Sequence, residues 1–252
     1  MKKINSIILY TILVLVAGGM IFPMVWMILL SLREYPEKFS NLYEIISAPT
    51  TFINYIEALQ SDNFDVYFFN SVLVAFFVTV GNIVFCFMVG YALARKEFIG
   101  KPLIFGSILG VLIIPPHVIM IPLYRLIVEF GWINSYYSLI IPWLVTPFGI
   151  FLMRQYIITI PVEIEDAARI DGASEWFLLF KIVIPLCKPI IVVLAIYIFL
   201  SNWNSFLFPF IFTNDEAYRT LPVGLAFYLG KQSIDWGHLM AGAGLSAIPI
   251  II

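Results

Sequence analysis

Charged side chains divide this sequence into long apolar stretches. No Lys, Arg, Asp or Glu interrupts Ile4 to Leu32, Val66 to Ala94, Pro102 to Tyr124, Phe130 to Met153 or Pro189 to Asn214. Each run exceeds the ~20 residues with which a helix crosses a bilayer, so the pattern predicts five full spans. A sixth begins near Trp236 and reaches Ile252, where the sequence stops on consecutive isoleucines without a polar cap. The expectation is a final helix cut short. Because hydrocarbon leaves no partner for free backbone groups, the fold class is an all-α polytopic bundle of six transmembrane helices, with residues 1–252 as one membrane domain.

Composition agrees with this pattern. The chain of 252 residues is 62% hydrophobic and only 12% charged, and its mean hydropathy of +0.98 lies outside the range of soluble domains. The first apolar run follows Lys2-Lys3 but is too long for a secretory signal. It also lacks a small-x-small cleavage site before Arg33, which predicts a retained helix. With the N-terminus in the cytoplasm, Lys2, Lys3, Arg95, Lys96, Lys101, Arg154, Arg169, Lys181 and Lys188 fall inside. Arg33, Lys38, Arg125, Arg219 and Lys231 fall outside. The positive-inside rule favours that orientation. Cys86 and Cys187 sit in separate apolar regions and are expected to be packing residues.

Several local signals refine the picture. Between Arg33 and Asp65, Pro36, Pro49, Asn54 and Asn63 are expected to interrupt any long helix, leaving a short interfacial turn around Tyr55, Ile56 and Leu59. Gly106 and Gly110 have small-xxx-small spacing, which permits close helix approach. Pro115 and Pro116 must break the third span, since each removes a backbone donor. His117 follows them, and two readings stay open: a proton relay, or a ring bonded to a carbonyl that the prolines free.

The polar stretch between the fourth and fifth spans carries the most local information. Pro161 suits a first helical turn, Glu163 complements the positive helix end, and a short helix is expected from Pro161 to Ile170. Glu165 and Arg169 are spaced i,i+4, a pair worth only ~0.3 kcal/mol. Gly172 is placed to end the helix in a left-handed conformation, and Ser174 to cap the next one.

Asp166-Ala167-Ala168, then Gly172 after three residues, then Ile182-x-Ile184-Pro185 after nine more, resembles the EAA loop of ABC importer permeases. Asp166 replaces Glu and Ile184 replaces Leu in that pattern. Tyr91-Ala92-Leu93-Ala94-Arg95, Asp171-Gly172-Ala173-Ser174, Ser201-Asn202-Trp203-Asn204 and Thr220-Leu221-Pro222 are similar to segments of the carbohydrate-uptake class. Their order resembles that of the smaller permease subunit in maltose- and glycerol-3-phosphate-type importers.

The resemblance implies a sugar permease driven by ATP bound elsewhere. It implies that residues 159–181 form a cytoplasmic coupling loop in which Glu165, Asp166, Ala167, Ala168, Asp171 and Gly172 dock onto an ATP-binding subunit. Pro185 would set how the loop joins the fifth helix. The implied partners are a second permease, a dimer of ATP-binding subunits and an extracytoplasmic solute-binding protein, in the bacterial cytoplasmic membrane. No cofactor is expected on this chain itself, because ATP and Mg belong to the partner subunit; no nucleic acid is implied.

Asn202, Trp203 and Asn204, flanked by Ser201 and Ser205, concentrate amide and hydroxyl groups in an apolar run. Polar groups at that depth either line the solute path or cross-link helices, and both readings stay open. An ion-coupled carrier is disfavoured because none of the five runs contains a carboxylate. Gly100-Lys101 and Gly230-Lys231 lack the upstream glycine of a phosphate loop, with Arg95 and Leu225 in its place. Neither His-Glu-x-x-His nor Gly-x-Ser-x-Gly occurs, so enzymatic chemistry and a resident metal are not expected. The alternative substrates within the same class are oligopeptide and phosphate.

Overall fold

The computed structural model describes residues 2–36, 41–60, 63–227 and 235–251, with side chains from residue 6 onward. The side chains of Lys2 and Lys3, and the whole of Lys38, Gly230, Lys231 and Ile252, lie outside the described residues. The described chain is helical, with no strand among the described residues. Its helices are α1 (Lys2–Ser31), α2 (Leu42–Ser47), α3 (Ile53–Gln60), α4 (Phe64–Arg95), α5 (Lys101–Ile113), α6 (Met120–Glu129), α7 (Tyr136–Ile140) and α8 (Pro147–Thr159). They continue as α9 (Val162–Ile170), α10 (Glu175–Phe177), α11 (Ile184–Leu186), α12 (Lys188–Trp203), α13 (Leu207–Phe212), α14 (Leu221–Phe227) and α15 (Trp236–Ile251).

Among the described residues three stretches are long and apolar enough to cross a membrane: 6–31, 64–95 and 136–159, the last interrupted by a 3-10 turn at Ile141–Trp143. Two further candidates are broken. The pair 101–113 and 116–129 bends by 97°, and the pair 175–186 and 188–203 bends by 74°. The first break is the one that Pro115 and Pro116 predict, and the carbonyl of Pro115 is taken by the Val118 amide at 3.0 Å. His117 stands exposed on the 3-10 turn that follows. Among the described residues its ring has no hydrogen-bond partner, so the bonded reading of His117 is not what the structure shows.

The fourth span, expected over 130–153, is shifted toward its C-terminal side, because Gly131 (φ 69°) and Asn134 (φ 54°) turn the chain before Tyr136. The fifth, expected to run to Asn214, stops at Trp203. Asn202 and Asn204 donate their amides back to the carbonyls of Ile198 (3.0 Å) and Leu200 (2.9 Å). Such bonds draw carbonyls away from the helix ladder.

Two compact units make up the chain, residues 1–68 with 221–252, and residues 69–220. In the first, α15 packs on α1 and α3. No long helix runs between Arg33 and Asp65 among the described residues, and Asn54 lies buried at the second position of the short α3, which holds Tyr55, Ile56 and Leu59. Its amide donates to the carbonyl of Ser31 at 2.9 Å and to that of Arg33, which meets the needs of backbone acceptors where α1 ends. The most apolar window of α1 buries none of its residues, which leaves a wholly hydrocarbon-compatible surface.

In the second unit the core includes Val78, Phe87, Ile127, Met153, Leu194 and Phe212. Asn82, fully buried on α4, donates to the Trp143 carbonyl at 2.6 Å and accepts from the Thr146 hydroxyl at 2.8 Å. Thr146 in turn caps α8 by accepting from the Gly149 amide at 3.1 Å. The break between α7 and α8 is therefore satisfied from within the protein, as an apolar surrounding demands. A side chain at Gly149 would stand 2.7 Å from Cys86 Sγ, so this glycine is what lets α8 approach α4. A side chain added at Gly106 or Gly110 would meet nothing within 4 Å beyond its own helix among the described residues. Cys86 and Cys187 are buried and unbridged.

Candidate coupling site

The polar segment after α8 forms a helix-turn-helix whose ends follow from local chemistry. Pro161, lacking a donor, stands as the N-cap of α9. Gly172 has φ +85°, a left-handed conformation that closes the helix, and the amides of Gly172 and Ala173 bond the carbonyls of Arg169 (3.0 Å) and Ala168 (2.9 Å). Ser174 then caps α10 by accepting from the Phe177 amide at 3.2 Å. The next six residues, Leu178–Val183, form a π-helical turn rather than the ordinary helix expected there.

Glu165 is the one fully buried carboxylate in the segment, at 0% exposure. It accepts from Arg95 Nε at 2.6 Å and Tyr91 Oη at 3.0 Å, and Arg169 Nη2 stands 3.5 Å away. Arg95 also donates through Nη2 to the Ile160 carbonyl at 2.7 Å. A buried carboxylate is tolerable only when its lone pairs are met in this way. Tyr91 and Arg95, one turn apart at the end of α4, thus clamp both the start of α9 and the residue that ends α8. Glu165, expected in the docking element, has its side chain turned inward onto α4.

A second, exposed layer surrounds this pair. Arg169 reaches Asp166 at 2.9 Å and Glu175 at 3.3 Å, and Lys96 meets Glu175 at 2.8 Å. The Lys96 ammonium, with Arg169 beside it, holds the Glu175 carboxyl below the usual carboxylate range. Asp166, Ala167, Asp171 and Gly172 are exposed and Ala168 is half-buried. Asp171, Gly172, Ala168 and Phe177 border an open groove of about 640 Å³. Ile170 projects beside it at 86% exposure, an apolar side chain left uncovered by the described residues. Pro185 lies exposed in α11, just before the bend at Cys187.

Residues 86–252 match the family model described as binding-protein-dependent transport system inner membrane component. The chain belongs to this family of inner-membrane permeases. Its members are transport subunits. The arabinooligosaccharides transport system permease protein AraQ of Halalkalibacterium halodurans is 35% identical, over 100% of this chain and 93% of the relative. The trehalose/maltose transport system permease protein MalG of Thermococcus litoralis is 32% identical, over 100% and 91%. In fold, the permease is similar to a bacterial ABC transporter involved in the import of the acidic polysaccharide alginate, with a TM-score of 0.86 at 22% identity, covering 99% of this chain and 93% of that one.

The expected path residues separate in the permease structure. Asn202 borders a cavity of about 280 Å³, Trp203 is buried at 2% exposure, and Asn204 is exposed with its amide turned back on α12. Tyr91 and Arg95 were legible only as part of a family-like segment. Their i,i+4 spacing puts both polar groups on one face of an otherwise apolar helix, which is the signal that could have exposed them.

Proposed function

We propose that this chain is one of two permease subunits of an ATP-driven importer that carries a sugar or sugar-like solute into the cytoplasm. It is a bundle of six membrane helices with the N-terminus inside, and residues 159–181 are the coupling loop. Asp166, Ala167, Ala168, Asp171 and Gly172 offer the outward face on which an ATP-binding subunit seats, with Ile170 as an apolar anchor. Glu165 acts from behind that face by fixing α9 to α4, and Pro185 sets the angle at which the loop enters the fifth span. ATP and Mg belong to the dimer of ATP-binding subunits, and an extracytoplasmic binding protein delivers the solute.

The observation that carries this reading is the rigid attachment of α9. A coupling element must move as a body with two discrete seats, and a helix pinned by a buried ion pair at one end and a left-handed turn at the other meets that requirement. Sugar as the cargo is supported by the names of relatives that span nearly all of this chain, arabinooligosaccharides and trehalose/maltose among them.

The test is uptake by proteoliposomes that hold this chain with its partner permease, ATP-binding subunits and binding protein, with the proton gradient collapsed. Wild-type uptake persists and requires ATP. Gly172→Val, forced into a left-handed conformation that a β-branched residue resists, leaves subunits that copurify but hydrolyse ATP without matching uptake. Transport by this chain alone, or full coupling in Gly172→Val, refutes the proposal.

A further inference from the structure

The cavity beside Asn202 is built unlike the rest of the apolar interior. Its walls are two aromatic pairs, Trp143 with Phe208 and Phe148 with Tyr197, each with ring centroids 4.7 Å apart. Between them stand Thr146, Ser201, Asn202 and Ser205. At other helical positions the hydroxyl turns back on its own helix: Ser107 donates to the Leu103 carbonyl at 2.9 Å and Ser246 to that of Ala243 at 2.7 Å. Ser201 and Ser205 do not. Among the described residues their hydroxyls have no hydrogen-bond partner, and Asn202, whose amide nitrogen is used by Ile198, has no donor to its amide oxygen.

Unpaired hydroxyl and amide groups are unfavourable against hydrocarbon, so the last turn of α12 and Ser205 just beyond it are turned to water or to a polar solute. Among the described residues no Lys, Arg, Asp or Glu lines the cavity. An anionic solute would therefore enter a low-dielectric site without a counter-charge, which is strongly unfavourable. A neutral sugar ring meets both demands. Its C–H faces lie against aromatic rings, and its hydroxyls exchange hydrogen bonds with Ser201, Asn202 and Ser205. A volume of about 280 Å³ is near the lower end of small-molecule sites, which suits a single sugar unit rather than a coiled polymer.

We infer that this cavity is a carbohydrate subsite contributed by this subunit, selective for an uncharged sugar unit, in which Ser201, Asn202 and Ser205 hold the hydroxyls and Trp143, Phe148, Tyr197 and Phe208 hold the ring. The inference rests on the importer reading above and adds to it the charge class of the cargo and the residues that select it.

The experiment uses the complete reconstituted importer and a probe set of trehalose, maltose and arabinotriose (neutral) against glycerol-3-phosphate and an alginate pentasaccharide (anionic). Uptake is measured for wild type, Asn202→Ala and the double variant Ser201→Ala/Ser205→Ala, with copurification of all subunits as the assembly control. The serine pair holds nothing else in the chain, so that variant carries the test if Asn202→Ala fails to assemble. The expected result is uptake of neutral probes only, with half-saturation raised about two- to tenfold in the variants, the scale of one lost hydrogen bond. Neutral uptake that both variants leave unchanged overturns the subsite while the importer reading stands. Uptake of anionic probes alone overturns the charge selectivity and leaves an importer of another cargo. Uptake of no saccharide overturns both the sugar reading and the subsite.

Discussion

Arg95→Ala tests the attachment of α9 at its strongest point. The substitution removes the 2.6 Å bond to Glu165 and the 2.7 Å bond to the Ile160 carbonyl, and leaves a fully buried carboxylate with Tyr91 and a guanidinium 3.5 Å away. Removing one partner of a buried ion pair destabilises by about 3–5 kcal/mol, because the remaining charge is uncompensated. Arg95 keeps 11% side-chain exposure and Arg169 can move closer, so the lower end, about 3 kcal/mol, is the expected value. That is roughly a 100-fold shift toward the detached helix. The assay is hydrogen exchange of the amides of residues 162–172 in the assembled importer. Exchange there rises on the order of 100-fold in Arg95→Ala, while the core of α4 is unaffected. The pair Arg95→Met with Glu165→Leu removes both charges together and recovers most of the protection, which a double-mutant cycle reads as a coupling energy above about 1 kcal/mol. If Arg95→Ala leaves exchange within twofold of wild type, the clamp does not hold the helix and the reasoning fails.

Three further outcomes follow from other particulars. Asn82→Ala strands the Trp143 carbonyl and the Thr146 hydroxyl, and lowers stability by about 1–3 kcal/mol, seen as an earlier thermal transition of the detergent-solubilised protein. Gly149→Ala places a methyl 2.7 Å from Cys86 Sγ and 2.9 Å from Asn82 Oδ1, and the resulting overpacking of about 1–3 kcal/mol lowers the same transition; an unshifted midpoint contradicts the close approach. Glu175 has a folded-state pKa below its unfolded one, so its link to Lys96 contributes above the unfolded pKa and fades as pH falls through the folded pKa. Both groups are about half exposed, with 57% of Glu175 and 48% of Lys96 accessible, so the contribution stays under about 1 kcal/mol. Exchange at residues 174–178, corrected for intrinsic rate, should quicken in acid for wild type and be insensitive in Glu175→Gln.

How far the site was legible depends on the distance over which each interaction acts. The turn at Gly172, the cap at Ser174, the break at Pro115-Pro116 and the helix ending at Ile170 all follow from residues within one turn of each other. The start of α9 moved by a single position, to Val162. The bonds of Asn54 were not legible, because its amide finds acceptors more than twenty residues away, at Ser31 and Arg33. The Gly106/Gly110 spacing permits a close approach without naming a neighbour, and none stands against it among the described residues.

The order of residues alone is enough to show apolar runs of membrane-spanning length, a polar helix-turn-helix between them, and where that element begins and ends. These are consequences of transfer free energy and of backbone chemistry confined to a few neighbouring residues. The packing of the helices turns Glu165 inward to an arginine seventy positions earlier, sets Asn202 and not Trp203 or Asn204 at the wall of the cavity beside Trp143, and leaves the hydroxyls of Ser201 and Ser205 without a partner among the described residues. Burial and pairing of this kind depend on which helices meet. A one-dimensional pattern of apolar residues in a membrane is nearly silent on that point, because lipid-facing and protein-facing surfaces are equally hydrophobic.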